Sequence, residues 1–305
     1  MGTSTWPILA PARPMRSTST RRTRQDARET GDPVSLIPTQ EYSMSFSAAA
    51  GNVAPTVIHT DTQGLVHGDF KLPVADGSIA AYYAAPEGRR DLPIVLVVQE
   101  IFGVHEHIKD ICRRVAKAGY LAVAANLYER QGDASVYTDI PKLIAELVSK
   151  VPDEQVFADL DASVAWAAQN GGDARRVAVT GFCWGGRLTW MYAAHNPDVR
   201  AAVAWYGKLS TGHGPLIKRV AFDVVNELHG PVLGLYGAQD ASIPLADIDT
   251  MKTKLANGNA AAKQSEFVVY PDADHAFMAD YRASYKPEAA KDGWKRMLEW
   301  FQRYL

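Results

Sequence analysis

One cysteine lies in the local setting of a catalytic nucleophile. Residues 181–186 read G-F-C-W-G-G, which places Cys183 between two glycines. A short β-branched run precedes this segment at 176–180, and residues with helical apolar spacing follow it at 187–192. A strand, a sharp turn and a helix in this order form a nucleophile elbow of the G-x-[S/C]-x-G kind. Small residues two positions away relieve the crowding of such a turn, so the sequence predicts that Cys183 is a nucleophile.

Two more residues could complete a catalytic triad with this thiol. A thiol nucleophile needs a base that removes its proton and an acid that orients the base. Asp240 follows the predicted strand 232–236, and His275 follows the predicted strand 267–270. The chain order nucleophile, acid, histidine is that of the α/β-hydrolase template. Alternatively, Asp240 closes a turn or caps a helix, and His275 is a packed or surface histidine.

The loop after the first buried strand carries a carboxylate and an expected amide donor. Glu100 and Ile101 come shortly after the apolar run 93–98. This loop usually supplies one backbone amide of an oxyanion hole, and the residue after the nucleophile supplies the other. We therefore expect the backbone N–H groups of Ile101 and Trp184 to be the two donors. Glu100 would lie beside the nucleophile, where its charge disfavours a thiolate, unless it only hydrogen-bonds loop amides.

A histidine pair near this loop superficially resembles a metal site. The residues are His105, Glu106 and His107. They lack H-E-x-x-H spacing, and histidines two positions apart on a helix point in different directions. The sequence therefore predicts no metal and no other cofactor.

The composition limits the classes of partner. The chain has 305 residues, with 32 basic and 34 acidic side chains and a formal net charge of −2. This balance does not favour a nucleic-acid or charged-membrane partner, and no apolar run approaches the roughly 18–20 residues of a membrane span. Only Cys112 and Cys183 are present. Sparse cysteine is typical of a reducing compartment and predicts a cytoplasmic protein without a disulfide.

The N-terminal region differs from the rest of the chain. Residues 1–25 contain no acidic side chain and are rich in Arg, Ser, Thr and Pro. This composition fits either an organellar targeting or export segment or an unstructured extension. We expect residues 1–60 to be such a segment and residues 64–305 to form one domain.

The alternation of apolar runs and helical periodicity predicts an α/β fold. A hairpin around Asp76-Gly77 is expected over 64–86, because this dipeptide is a strong turn signal. Strands and helices then alternate, which indicates one doubly wound, mostly parallel sheet of the α/β-hydrolase type with an N-terminal antiparallel hairpin. The further predicted strands cover 93–98, 120–125, 177–180, 201–205, 232–236 and 267–270, and the predicted helices cover 107–118, 140–151, 153–170 and 291–304.

Several motifs together resemble the dienelactone hydrolase (carboxymethylenebutenolidase) family, from about Gly64 to the C-terminus. The resemblance implies a Cys-His-Asp triad of Cys183, His275 and Asp240. It also implies that Glu100 contacts the resting thiol and turns away when substrate binds. The motifs that carry it are Q-E-I-F-G at 99–103, G-Y at 119–120, L-Y at 127–128, G-F-C-W-G-G at 181–186, W-Y-G at 205–207, G-A-Q-D at 237–240 and D-H-A-F at 274–277.

The substrate contacts of the family do not carry over directly. The best-known members bind a substrate carboxylate through arginines, one of them four residues after the catalytic histidine. Here position 279 is Ala and position 126 is Asn in place of the usual acid. The candidates for the substrate pocket are therefore Tyr128, Arg130, Tyr206, Phe277 and Arg282, with Arg187 as a further possible contact.

The expected reaction is hydrolysis of a small-molecule ester or lactone through an acyl-thioenzyme. A non-catalytic ligand-binding homologue would keep the same fold without turnover. A thiol redox enzyme would use Cys183 as its peroxidatic thiol, although no resolving cysteine is expected nearby.

Overall fold

In the computed structural model, which describes residues 48–51 and 53–305, a single eight-stranded sheet passes through the centre of the molecule. The strands are β1 (Leu65–Val74), β2 (Gly77–Pro86), β3 (Leu92–Val98), β4 (Leu121–Ala125), β5 (Gly172–Phe182), β6 (Val199–Trp205), β7 (Val232–Gly237) and β8 (Glu266–Tyr270). The helices are α1 (Glu106–Lys117), α2 (Ile140–Glu146), α3 (Asp153–Gln169), α4 (Trp184–His195), α5 (Leu245–Ala256), α6 (Ala260–Lys263) and α7 (Pro287–Tyr304).

The strand order is β1-β2-β4-β3-β5-β6-β7-β8. The pairs β1–β2 and β2–β4 are antiparallel, and all the later pairs are parallel. The α/β-hydrolase fold with an N-terminal hairpin is thus confirmed. The hairpin turn lies one residue earlier than predicted, because Val74 pairs with Gly77 and leaves Ala75 and Asp76 as the loop.

The central strands are apolar because helices cover both faces of the sheet. Every residue from Ile94 to Val98 in β3 is at most 1% exposed, and all five residues of β4 are buried. Such continuous burial is what a parallel sheet between two helical layers requires. No helix among the described residues is long and apolar enough to cross a membrane.

The helices differ from the prediction in the segment 140–151 and between β7 and β8, where neither α5 nor α6 was predicted. The predicted helix 140–151 ends at Glu146, and Val148–Lys150 forms a separate 3₁₀ turn. Val151 is extended, as expected for a residue that precedes a proline, here Pro152. The helix α5 was not predicted, although its buried side chains Ile248, Met251 and Leu255 have helical spacing.

The chain contacts the domain before Gly64, where the domain was expected to begin. The Ala54 amide donates to the carbonyl of Tyr281 (2.8 Å), and the Thr56 hydroxyl donates to the carbonyl of Asp280 (2.6 Å). The Thr60 amide donates to Asp110 Oδ1 (2.6 Å). The part of the predicted extension that covers residues 1–47 lies outside the described residues.

Helix α4 approaches the sheet so closely that only glycine fits at the contact. A Cβ atom on Gly186 would lie 2.3 Å from the carbonyl oxygen of Trp205 and 3.0 Å from Gly207 Cα. A Cβ atom on Gly207 would lie 2.2 Å from the carbonyl carbon of Gly186. The two glycines therefore allow backbone-to-backbone contact between α4 and the end of β6.

We predict that Gly186→Ala destabilises the protein by about 1–3 kcal/mol, because the added methyl group overpacks this contact. The free energy of unfolding from urea titration measures the effect. Gly68→Ala is the matched control, since a Cβ there would meet only the Tyr83 ring at 4.0 Å. An equal loss of stability in the two variants would contradict the close-packing argument.

Candidate active site

Cys183 lies in a strained turn between β5 and α4. Its backbone has φ 57° and ψ −112°, a conformation outside the regions that most L-residues adopt. Its amide donates to the carbonyl of Trp205 (3.0 Å). A Cβ atom on Gly181 would lie 2.3 Å from the carbonyl oxygen of Gly185, so the turn requires small residues on both sides. The elbow geometry expected from the sequence is present.

The loops after β7 and β8 bring Asp240 and His275 together. His275 Nδ1 lies 2.6 Å from Asp240 Oδ2. The amide and hydroxyl of Ser242 donate to the other carboxylate oxygen at 2.8 and 2.6 Å. His275 and Cys183 line the same cavity. Because Nδ1 of His275 faces Asp240, Nε2 is the ring nitrogen available to a second partner.

The charges around His275 favour its protonated form. Burial alone would lower the pKa of His275, but the charge of Cys183 and the hydrogen bonds with Asp240 and Cys183 raise it to about 10. Burial would raise the pKa of Asp240, but the bond and the charge of His275 lower it. Asp240 is therefore a carboxylate that stabilises an imidazolium next to the sulfur.

Glu100 is a buried carboxylate at the end of β3. The Tyr281 hydroxyl donates to its Oε2 atom at 2.5 Å, and His105 Nε2 lies 3.5 Å from the same oxygen. Burial would raise the pKa of Glu100, but the hydrogen bond of His105, the neighbouring histidines and the hydrogen bond of Tyr281 lower it to about 2. Glu100 and Cys183 line the same cavity.

The tautomer of His105 follows from its contacts. Its Nδ1 atom accepts a hydrogen bond from the His107 amide at 3.4 Å, which leaves the proton on Nε2, facing Glu100. Burial lowers the pKa of His105, and the nearby Glu100 carboxylate opposes this shift. His107 Nδ1 lies 3.1 Å from Asp280 Oδ1. The two imidazoles thus bind different carboxylates, and the described residues contain no group of three side chains that could hold a metal ion.

The expected oxyanion donors come from the loop after β3 and from the first turn of α4. Trp184 is the first residue of α4, so its amide has no acceptor within the helix. A Cβ atom on Gly185 would lie 2.4 Å from the carbonyl oxygen of Gln99, which shows how closely this first turn meets the loop of Ile101. Ile101 and Trp184 line the same cavity as Cys183.

A cavity of about 360 Å³ opens above the elbow. Of the pocket candidates, Tyr206 and Arg282 line it, and so does Arg187. The lining residues are Glu100, Ile101, Phe102, Ile140, Ile144, Cys183, Trp184, Arg187, Tyr206, Lys208, His213, Asp240, Ala241, Ser242, Asp274, His275 and Arg282.

The other three pocket candidates lie outside this lining. Arg130 forms ion pairs with Asp76 and Asp159, at 2.6 and 2.8 Å. Tyr128 is buried behind Trp184, with ring centroids 5.1 Å apart. Phe277 is buried behind Tyr206, with ring centroids 5.3 Å apart. The last two support the walls of the cavity from behind.

Lys208 and His213 line the cavity but were not predicted from the sequence. Lys208 directly follows the W-Y-G motif at the end of a predicted strand, and this position could have indicated a cavity residue. His213 lies in the same connection, for which no periodic pattern exists. Burial and the charges of Lys208 and Arg187 lower the pKa of His213 to about 4, so it is neutral at physiological pH.

Tyr206 has an unusual position in this cavity. Its backbone has φ 39°, its ring packs edge-on against His275 at 5.2 Å, and the residue is fully buried. Its hydroxyl is buried without a hydrogen-bond partner among the described residues. A donor in this state costs free energy unless a bound molecule satisfies it.

Comparisons with known proteins place the chain in a family. The Dienelactone hydrolase family model matches residues 79–305. A Salmonella typhimurium LT2 protein named "Putative carboxymethylenebutenolidase" is 54% identical over 267 residues, which cover 87% of this chain and 98% of that protein.

Solved structures agree with this placement. The crystal structure of a "Putative Dienelactone Hydrolase" from Klebsiella pneumoniae is 58% identical, with a TM-score of 0.76, and the match covers 79% of this chain and 99% of that one. Pyrococcus horikoshii acylaminoacyl peptidase is 16% identical, with a TM-score of 0.63, and the match covers 80% of this chain and 42% of that protein. This likeness shows a shared fold alone. The chain belongs to the dienelactone hydrolase family and is a carboxymethylenebutenolidase-like hydrolase.

Proposed function

We propose that this protein hydrolyses small-molecule esters or lactones through an acyl-thioenzyme on Cys183. The observation that carries the proposal is the imidazole of His275, whose Nδ1 atom lies 2.6 Å from Asp240 Oδ2 and which lines the same cavity as Cys183. This is the arrangement that a nucleophile, a base and an orienting acid require. The sparse cysteine content favours a cytoplasmic location, where the thiol would stay reduced.

In the first half-reaction, the Cys183 sulfur attacks the carbonyl carbon of the substrate. The backbone N–H groups of Ile101 and Trp184 stabilise the resulting oxyanion, and the dipole of α4 adds to the effect at Trp184. The intermediate then collapses, and His275 gives the proton on Nε2 to the leaving alkoxide. The products of this step are an alcohol and a thioester on Cys183.

In the second half-reaction, neutral His275 removes a proton from a water molecule, which attacks the thioester. The tetrahedral intermediate collapses, the carboxylic acid leaves and the thiolate is restored beside the protonated imidazole. Asp240 keeps Nδ1 of His275 protonated throughout, so that Nε2 alone exchanges protons. One water is consumed for each ester bond.

We further propose that the substrate carries a carboxylate. Lys208 and Arg282 line the cavity, and neither forms an ion pair with another side chain in the part of the chain that the structure describes. Arg282 instead lies over the Phe102 ring, 5.5 Å from its centroid. A substrate carboxylate would supply the missing counter-charge. The name of the Salmonella relative is consistent with such a substrate.

We predict that Cys183→Ala lowers kcat/KM for activated aryl esters and small lactones by at least about 10³-fold, because no other group can form the thioester. Product release measured spectrophotometrically tests this. Cys112→Ala is the matched control: Cys112 is fully buried in α1 and should leave kcat/KM unchanged. Full activity of the Cys183 variant would refute the mechanism. Ligand binding without turnover by the wild type, or Cys183-dependent peroxide consumption without ester cleavage, would favour the two alternative functions.

We predict that Arg282→Gln and Lys208→Gln each raise KM about tenfold for esters with a carboxylate on the acyl part, because each removes one charged contact. The KM of neutral isosteric esters should stay within about twofold. Steady-state kinetics on matched substrate pairs provide the measurement. Arg130→Gln is the control, since its ion pairs lie outside the cavity. Equal effects on charged and neutral esters would exclude carboxylate recognition by these residues.

A further inference from the structure

We propose that the chain before the sheet, residues 48–50 and 53–61, is a strap that holds two walls of the substrate cavity. By holding these walls, the strap limits the size of the acyl or alcohol group that the cavity admits. The inference rests on the proposed function, because it takes the cavity above Cys183 as the substrate site. None of the strap residues lines that cavity, so they act on the substrate only through the two walls.

The first wall is the segment 280–282, in the connection between β8 and α7. Its residue Arg282 lines the cavity. The Ala54 amide donates to the carbonyl of residue 281 at 2.8 Å, and the Thr56 hydroxyl donates to the carbonyl of residue 280 at 2.6 Å. The strap thus binds the backbone of the two positions directly before Arg282, and this restricts how far the wall can move outward.

The second wall is α2, whose side chains Ile140 and Ile144 line the cavity. This helix packs mainly on the 3₁₀ turn that follows it and on Ala48–Ala50 of the strap. The Ala49 amide also donates to the carbonyl of Tyr137, three residues before α2 begins, at 3.1 Å. The position of α2 therefore depends on the strap as well as on the neighbours of α2 in the chain.

The other end of the strap is fixed to the body of the domain by α1. The Thr60 amide and hydroxyl donate to the two carboxylate oxygens of Asp110, at 2.6 and 3.2 Å. Asp110 is about 1% exposed and also accepts a hydrogen bond from Arg114. Lys117 donates to Asp61 at 2.6 Å. Because α1 packs on β2 and β4, these bonds join the strap to the sheet, and the two walls are held against a fixed element.

The strap acts on access to the cavity and not on the chemistry in it. Cys183, Asp240 and His275 follow β5, β7 and β8, and their positions are set by the sheet and its loops. Release of the strap would therefore let the walls move apart while the triad residues stay in place. The expected consequence is a cavity that admits larger groups, because pocket shape decides which ligand fits.

The test compares two thiol reagents of different size on Cys183 in the full chain. N-ethylmaleimide and N-(1-pyrenyl)maleimide share one reactive group, so the ratio of their rates reports access to the sulfur and cancels its nucleophilicity. Mass spectrometry of the modified peptide gives both rates, and Cys112 is fully buried. Thr56→Val removes the hydroxyl donor to the first wall. Ala54→Pro and Ala49→Pro remove the amide donors to the first and second walls, since proline has no N–H.

We expect each single variant to raise the relative rate of the pyrenyl reagent about threefold, and Ala54→Pro with Thr56→Val to raise it about tenfold, because losing one hydrogen bond shifts an equilibrium by about this factor. Thr62→Val is the matched control and should leave the ratio unchanged. That threonine is exposed, lies one residue beyond the strap, and its carbonyl pairs with the Leu65 amide at 3.0 Å. Thermal unfolding of each variant confirms that it folds.

An unchanged ratio in the folded double variant, or an equal rise in the Thr62→Val control, would overturn the proposal. A strap that only stabilised the fold would lower the unfolding temperature without changing the ratio, and this result would overturn it as well. If the proline variants do not fold, Thr56→Val alone decides between these outcomes. The ratio requires no turnover, so a failure of the proposed function would appear in the esterase assay of Cys183→Ala and leave this measurement unaffected.

Discussion

The close backbone contact around the first turn of α4 is the constraint on which the site depends. Glycines at 181, 185, 186 and 207 lie where a Cβ atom would come within 2.2–2.4 Å of a neighbouring backbone atom. That contact draws the helix N-terminus against the loop of Glu100 on one side and the end of β6 on the other. Cys183 then has only a strained conformation available, and its side chain is directed into the cavity. The positions of Cys183 and of both expected oxyanion donors therefore depend on one packing arrangement.

Two carboxylates act on the cavity in opposite ways. Asp240 binds His275 and favours positive charge beside the sulfur, whereas Glu100 is a negative charge that would disfavour the thiolate if it turned toward it. Asp240 accepts hydrogen bonds from Ser242 and lies against His275, whereas Glu100 accepts a hydrogen bond from Tyr281. Each carboxylate is ionised because its own donors compensate for burial. The negative charge in the cavity is therefore set by two separate groups of donors, one for each carboxylate.

Local patterns were sufficient to predict most of the fold and to predict that Asp240 and His275 lie close together. Asp240 and His275 each follow a strand of a parallel sheet, so both must lie at the same edge of that sheet. The hydrogen bond from Tyr281 to Glu100 could not be predicted in this way, because it joins residues 181 positions apart. Arg130 illustrates the reverse: it follows a strand, as a pocket residue would, but Asp76 in the hairpin turn and Asp159 in α3 bind it elsewhere. No local sequence pattern predicts these ion pairs of Arg130.

The buried charge network on α1 explains how distant parts of the chain affect one site. Arg114 bridges Asp110 and Asp280, and all three side chains are about 1–2% exposed. Burying such a network contributes little to stability compared with an apolar core, so its main effect is to fix one geometry. Asp280 belongs to the same connection between β8 and α7 as His275 and Tyr281. Because α1 binds Asp280, it fixes the position of the next residue, Tyr281, which donates to Glu100. A shift of this connection would therefore alter the contacts of Asp240 and of Glu100 together.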